Sequence, residues 1–208
     1  MHLCCSQSDI PEVPAICLGT PDISVFEMVG ANSTFVNKGQ FIQPTFITRI
    51  EDKNGKVLEE FIPNTDEVFS EEKAYVMLEL MQGVCQYGTG AALRGAKYKL
   101  NNQIAGKTGT TQHNADGWFI GLTPDLAAGA WVGGEDRSIH FNSIADGQGA
   151  TMALPIWGKF FRKVYDDPKL KISKSPFTRP KNLDPNLEMD CSKYDNAPLE
   201  GLEPIDFE

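Results

Sequence analysis

Apolar positions recur along the chain at two different spacings, and each change of spacing marks a new element. In residues 22–38, Val25, Met28, Val29 and Asn32 fall at helical intervals. Asp22 precedes them as an acidic cap candidate and Gly39 follows as a stop, so a helix is expected. The period then drops to two in "TFITRIEDKNGKVLEEF", where Phe46, Thr48 and Ile50 alternate with Ile47 and Arg49. "DKNG" supplies a turn, and Val57 and Leu58 resume the pattern, which predicts a β-hairpin. "SEEKAYVMLELMQGVCQYGTG" returns to helical spacing, with Ser70 as N-cap, Lys73 three residues on, and Tyr75, Met77, Leu78, Met81 and Val84 as the apolar stripe. Gly88 and Gly90 end it.

After a short polar link, three strand-like segments follow at residues 103–111, 117–123 and 126–134. Connections this short favour an antiparallel meander. "ATMALPIWGKFFRKVY" predicts a closing helix that carries Pro155 in its first turn and packs Leu154, Trp157, Phe160 and Phe161 on the sheet. From about Asp166 the pattern ends. Pro168, Pro176, Pro180, Pro185, Pro198 and Pro204 interrupt any period while apolar residues thin out, so residues 166–208 are expected to form a tail, ordered only where it lies on the domain formed by residues 1–165. No internal repeat is evident.

Composition narrows the function more than the fold. A chain of 208 residues can bury an ordinary core. The formal charge of -9 and pI near 4.9 argue against nucleic acid or an anionic membrane surface as the main partner, since both call for clustered Lys and Arg. No apolar run approaches the roughly 20 residues that span a bilayer, and "MHLCCSQSDIPEV" lacks the basic-then-apolar order of a secretory signal. Five cysteines (Cys4, Cys5, Cys17, Cys85 and Cys191) are too few and scattered for a disulfide framework, and they do not define a redox compartment. His2 beside Cys4 and Cys5 has no second ligand pair at useful spacing. Neither a metal nor a cofactor is expected.

The chemistry lies in "QIAGKTGTTQHNADGWFIG", residues 103–121. Counting removes two nucleotide motifs: a P-loop ending at Gly106 would need Gly where Asn101 stands, and a dinucleotide fingerprint on Gly88 and Gly90 meets Leu93. What remains is K-T-G-T. Thr108 and Thr110 project from one face of a strand and, with Lys107, suit a carboxylate. Gly109 removes a side chain where an extended peptide could lie alongside. The residues by themselves equally fit a polar edge strand, in which Lys discourages aggregation and Thr suits β geometry.

"AGKTGTT" followed by "DGWFIGLTPDL" and "GAWVGGEDRS" resembles the C-terminal part of the transpeptidase domain of class A, bifunctional penicillin-binding proteins. "CLGTPDISVFEMVGANSTFVNKGQFIQPTFITRIEDKNGKVL", "AYVMLELMQGVCQYGTG" and "GQGATMALPIWGKFF" are similar to neighbouring segments of the same domain, so the resemblance covers roughly residues 14–165. It implies an α/β fold of the α+β type, the penicillin-binding and serine β-lactamase-like antiparallel sheet flanked by helices, present as its C-terminal portion.

The resemblance also implies a reaction. A serine attacks the D-Ala–D-Ala bond of a peptidoglycan stem peptide, releases D-Ala and passes the acyl group to an amine; β-lactams acylate the same serine. By position, Lys107 and Thr110 are the catalytic candidates: Lys107 shapes the electrostatics around the substrate carboxylate, and the Thr110 amide is an oxyanion-hole donor. Thr108, Gly109, Thr110 and Thr111 are the substrate-binding candidates. The partners implied are stem peptides, β-lactams, the N-terminal transpeptidase segment and a glycosyltransferase domain, at the outer face of the bacterial cytoplasmic membrane, with the anchor outside these residues.

The family's nucleophile motif, S-x-x-K, and its S-x-N are expected before residue 1. S-x-N occurs nowhere, and the one S-x-x-K, Ser70 to Lys73, falls at a predicted helix cap. The chain by itself is therefore expected to be inactive. The alternatives are a non-catalytic binding remnant, or a D,D-carboxypeptidase or β-lactamase relative. His113 is expected in a solvent-facing turn, Trp118 and Trp131 in the sheet core, Asp116 in a local cap or pair, and Glu135, Asp136 and Arg137 in a solvated turn.

Overall fold

Ser24, rather than Asp22, starts the first helix. The computed structural model describes residues 10, 12–185, 187 and 189. In it, α1 (Val25–Val36) opens on a capping box in which the Ser24 hydroxyl accepts from the Glu27 N–H and the Glu27 carboxylate accepts from the Ser24 N–H at 2.8 Å. Asp22 lies outside the helix and pairs with Arg137 at 3.4 Å. The helix ends at Asn37, and Gly39 then turns the chain at φ +85°. A side chain at Gly39 would collide with the Phe69 carbonyl, so glycine is required twice over.

β1 (Gln40–Ile42) pairs antiparallel with β4 (Thr65–Glu67), an interaction that no local pattern announces. Between them, β2 (Arg49–Glu51) and β3 (Val57–Glu60) form the expected hairpin around Gly55 at φ +82°. The hairpin is shorter than the alternation suggests, and both strands are exposed along their length.

α2 (Glu71–Gln86) is capped by Ser70, whose hydroxyl accepts from the Lys73 N–H at 3.4 Å. Its buried face is Ala74, Leu78, Met81, Gln82 and Cys85, so the stripe is centred differently from the expected one. Met77 is exposed. The link after α2 is only partly polar: a 3-10 turn at Ala91–Arg94 buries Leu93, and Tyr98 and Leu100 join the core behind it.

The central sheet is the expected meander, in the order β5 (Ala105–Thr110), β6 (Asp116–Leu122), β7 (Ala127–Gly133), antiparallel throughout. Alternation sends Phe119 and Ile120 to opposite faces. α3 (Ile144–Gly147) leads into α4 (Gly149–Met152) and α5 (Leu154–Asp166), and these last two lie on the Phe119 side, α5 with Pro155 in its first turn. Trp157 stacks on Phe161 at 3.8 Å between ring centroids and meets Phe119 edge-on at 5.4 Å. Burying such aromatic side chains stabilises the fold by about 1.5–3 kcal/mol each. Phe160, expected in this layer, is half exposed because it lies one helical step beyond the contact face, with its ring T-shaped to that of Phe161.

On the Ile120 side, Leu78 and Met81 of α2, Met28 and Val29 of α1, Ala105, Leu122 and Phe177 form a second cluster. Val25 and Val29 fill the space over Gly129, which lets α1 approach β7. Beyond Asp166 the chain makes no helix or strand among the described residues. It still packs there: the Phe177 N–H donates to the Gln103 side-chain oxygen at 2.8 Å, and the Ser173 N–H to Asp125 at 2.7 Å.

Candidate active site on the open edge of the motif strand

Among the described residues, β5 carries K-T-G-T on the edge of its sheet, paired with β6 on one side only. The Thr111 N–H donates to the Asp116 carbonyl at 3.1 Å, across to the β6 side. Backbone groups alternate sides in an antiparallel ladder, so those of Gly109 and Lys107 also face β6, and those of Thr110 and Thr108 face the open edge. Lys107 Nζ follows the same direction by donating to the Thr108 carbonyl at 2.7 Å. The ammonium, the Thr108 carbonyl and the Thr110 amide thus gather along one unpaired rim.

Side chains obey the other alternation. Thr108 and Thr110 share the Phe119 face, as the period of two predicts, and Lys107 belongs to the face of its register partner Ile120. The Thr110 hydroxyl accepts from the Gly149 N–H at 3.0 Å. The Thr108 hydroxyl lies 2.8 Å from the hydroxyl of Thr89, in the turn after α2. Gly109 answers first to packing: a Cβ there would come 3.1 Å from Cβ of Trp118. Thr111 is the candidate most committed elsewhere, for its hydroxyl donates to Asp116 Oδ2 at 3.0 Å and accepts from the Asp116 N–H at 2.9 Å.

Asp116 ties this corner together. Its other carboxylate oxygen accepts from the Trp131 indole N–H at 3.0 Å, so the expected local pairing is present. Trp131 is 42% exposed on the outer strand, which corrects its expected place in the core. Trp118 is half-buried beside Gly109. His113 sits exposed in a 3-10 turn at φ +60°, near the His140 ring, with ring centroids 6.3 Å apart. Asp136 accepts from the Ser138 N–H at 2.8 Å, and that bond holds its carboxyl below the usual carboxylate range. Glu135, Asp136 and Arg137 are not drawn into the rim by any of these bonds.

β5 lies inside a stretch of the chain that matches a known family. The family model of the penicillin binding protein transpeptidase domain matches residues 15–133, more than half of the sequence. The chain belongs to this transpeptidase family. It is homologous to class A penicillin-binding proteins: penicillin-binding protein 1A of Aquifex aeolicus is 34% identical over 150 residues, covering 72% of this chain and 20% of that protein. The chain thus spans about one fifth of that relative's length. The fold agrees with the crystal structure of penicillin-binding protein 1A from Haemophilus influenzae, with TM-score 0.72 and 20% identity over 85% of this chain and 31% of that one. It agrees also with PonA1 of Mycobacterium tuberculosis in complex with penicillin V, with TM-score 0.65 and 24% identity over 83% of this chain and 45% of that one.

Within this transpeptidase fold, the end of α2 is fixed against the motif strand by contacts that sequence periodicity did not single out. A Cβ at Gly106 would come 2.9 Å from Sγ of Cys85, so the missing side chain admits the helix end. Burial pushes the Cys85 thiol up to about 12, against the opposing charge of Arg94, whose Nε donates to the Cys85 carbonyl at 3.2 Å. Gly149 plays the same part on the other flank: a side chain there would run into the Gly109 and Trp118 carbonyls. Thr89 and Gly149 are the two contacts of the motif hydroxyls missed: Gly88 and Gly90 beside Thr89 signalled only the end of α2, and Gly149 entered only within "GQGATMALPIWGKFF". A separate groove of about 310 Å³, lined by Phe26, Val29, Ile42 and Pro44 among others, contains none of the motif residues.

Proposed function

We propose that this chain forms one wall of a peptidoglycan D,D-transpeptidase active site and acts in acyl transfer only together with a segment that bears a nucleophilic serine. The observation that carries this reading is the arrangement on β5: a Lys107 ammonium, the Thr108 carbonyl and an outward Thr110 amide along its edge, with the Thr108 and Thr110 hydroxyls on the adjoining Phe119 face. An extended peptide can add to such an edge. Its terminal carboxylate would meet the Thr108 and Thr110 hydroxyls under the positive potential of Lys107. The Thr110 N–H would stabilise the oxyanion that develops as the serine attacks.

In this reading residues 1–165 are the C-terminal portion of the transpeptidase domain and residues 166–208 an acidic, Pro-rich tail. The substrates are stem peptides ending in D-Ala–D-Ala, and β-lactams compete for the same wall; the PonA1 structure, with its penicillin V, supports that class of ligand. The complete protein would also hold a glycosyltransferase domain and act at the outer face of the cytoplasmic membrane. Among the described residues no helix is long and apolar enough to cross a membrane.

Ser70 favours a second reading. Its hydroxyl is used as the α2 cap, and Ser70 to Lys73 is the one S-x-x-K in the sequence. A chain with no other such motif fits a binding remnant without acyl transfer. Intact-mass spectrometry after incubation with a labelled penicillin tests the proposal. No adduct is expected on the folded chain alone, and an adduct is expected on a serine of the complementary segment when the two are combined. A covalent adduct on Ser70 would overturn the proposal, and binding without acylation by the combined protein would favour the remnant.

A further inference from the structure

Thr89 is not one of the candidate site residues of the motif strand, yet its hydroxyl lies 2.8 Å from that of Thr108. Three features put it there. Cys85 docks the end of α2 over Gly106, as described. Gly88 and Gly90 then wrap the chain tightly back on the helix: a Cβ at Gly88 would come 2.9 Å from Cα of Val84, and one at Gly90 3.1 Å from the Val84 carbonyl. The Gly90 N–H donates to that same carbonyl at 2.9 Å, closing the turn with Thr89 at its tip.

The bond is not explained by burial. Thr89 is exposed, and water would satisfy its hydroxyl equally well, so the contact adds little to stability. Its effect is on direction. Two hydroxyls carry two protons, and whichever donates, their mutual bond uses one and leaves one O–H to donate outward. Thr110 is in a similar state, for its oxygen accepts from the Gly149 N–H and its own proton remains free. One O–H of the Thr89–Thr108 pair and the O–H of Thr110 are therefore free to donate, beside strand positions 108 and 110, which lie roughly 7 Å apart.

We propose that Thr89 is a positioning residue of a carboxylate subsite, holding the Thr108 hydroxyl so that the Thr89–Thr108 pair presents a fixed O–H donor beside that of Thr110. The inference rests on the proposed function, since the carboxylate is taken to be the terminus of a peptide laid along β5. It goes beyond that reading by bringing a residue of the turn after α2 into substrate recognition.

The test is an NMR titration of the full 208-residue chain, labelled with 15N, with N-acetyl-D-Ala-D-Ala and separately with its C-terminal amide. The free acid is expected to shift the Thr89, Thr108 and Thr110 amide signals, and the amide form to shift them less. Thr89→Val, which keeps the shape and removes the hydroxyl, is expected to weaken the acid about three- to tenfold, as befits one hydrogen bond, while leaving the amide form unchanged. Thr89→Ser is expected to restore acid binding. A folded Thr89→Val chain that binds the acid as tightly as the parent would overturn the role of Thr89 alone. Equal weakening of acid and amide, or loss of the native spectrum in Thr89→Val, would assign Thr89 to structure and overturn it too. Absence of any preference for the acid in the parent chain would overturn the carboxylate reading itself.

Discussion

The Thr110 hydroxyl accepts a hydrogen bond from the Gly149 N–H at 3.0 Å, so the last motif residue of β5 also caps the first turn of α4. Gly149 is buried, and no side chain of its own helix supplies a cap. Thr110→Val would leave that N–H without a partner, at a cost of about 1–3 kcal/mol. Thr110→Ser keeps the oxygen and should fall within a few tenths of the parent. Urea denaturation of the three chains measures this, and a Val variant as stable as the parent would show that the cap is not made in solution.

The approach of α2 to β5 makes a second prediction, about coupling. Gly106→Ala would place its methyl 2.9 Å from both Cys85 Sγ and Cζ of Phe119, an overpacking expected to cost about 1–3 kcal/mol. Cys85→Ala alone should also destabilise by opening a small void. Together they should cost less than the sum, because the alanine at 85 vacates part of the space that the new methyl needs. Strict additivity in the double-mutant cycle would mean that Phe119 and the Ile120 carbonyl, rather than Cys85, exclude a side chain at 106.

How much of this was legible depends on how far each contact reaches along the chain. The helices, the hairpin and the meander follow from period and turn chemistry within windows of about a dozen residues, and the K-T-G-T face follows from alternation. Periodicity fixes a stripe but not its centre, which is why Met77 and Phe160 fall on the expected apolar faces and yet are exposed. The Ser24 and Glu27 spacing was itself a capping box, obscured by the more obvious acid at Asp22. Pairing of β1 with β4, and the seats of Gly106 and Gly149, join residues far apart in sequence. Trp131 shows a further limit: composition marks it as a core residue, but its exposure is decided by what lies against the outer strand.

Ser70 distinguishes a structural serine from a nucleophile. As the α2 cap it accepts from the Lys73 N–H, and Ser70→Ala should cost about 1 kcal/mol of stability. Ser70→Gly should cost only a few tenths. Neither change should alter penicillin labelling of a protein that combines this chain with a nucleophile-bearing segment. Abolition of labelling by Ser70→Ala, in a chain that still melts cooperatively, would make Ser70 the acylated residue.

Cys85 predicts an alkaline limit to stability. Its thiol is held up to about 12 in the fold because burial disfavours the thiolate, whereas in the unfolded chain it titrates near 9.0. Between those values the unfolded state has released a proton that the folded state retains, so unfolding is progressively favoured as pH rises. The stabilisation is fully present below about pH 9 and is lost as pH climbs toward about 12. From pH 8 to 10 the parent should therefore lose about 1.4 kcal/mol more than Cys85→Ala, whose own deficit at pH 8 reflects only the void. The same burial should keep Cys85 unmodified by a thiol reagent in the native state at pH 8, while exposed Cys17 reacts. Matching pH slopes for the two chains, or native-state labelling of Cys85 as fast as that of Cys17, would mean that the seat of α2 on the motif strand opens readily in solution.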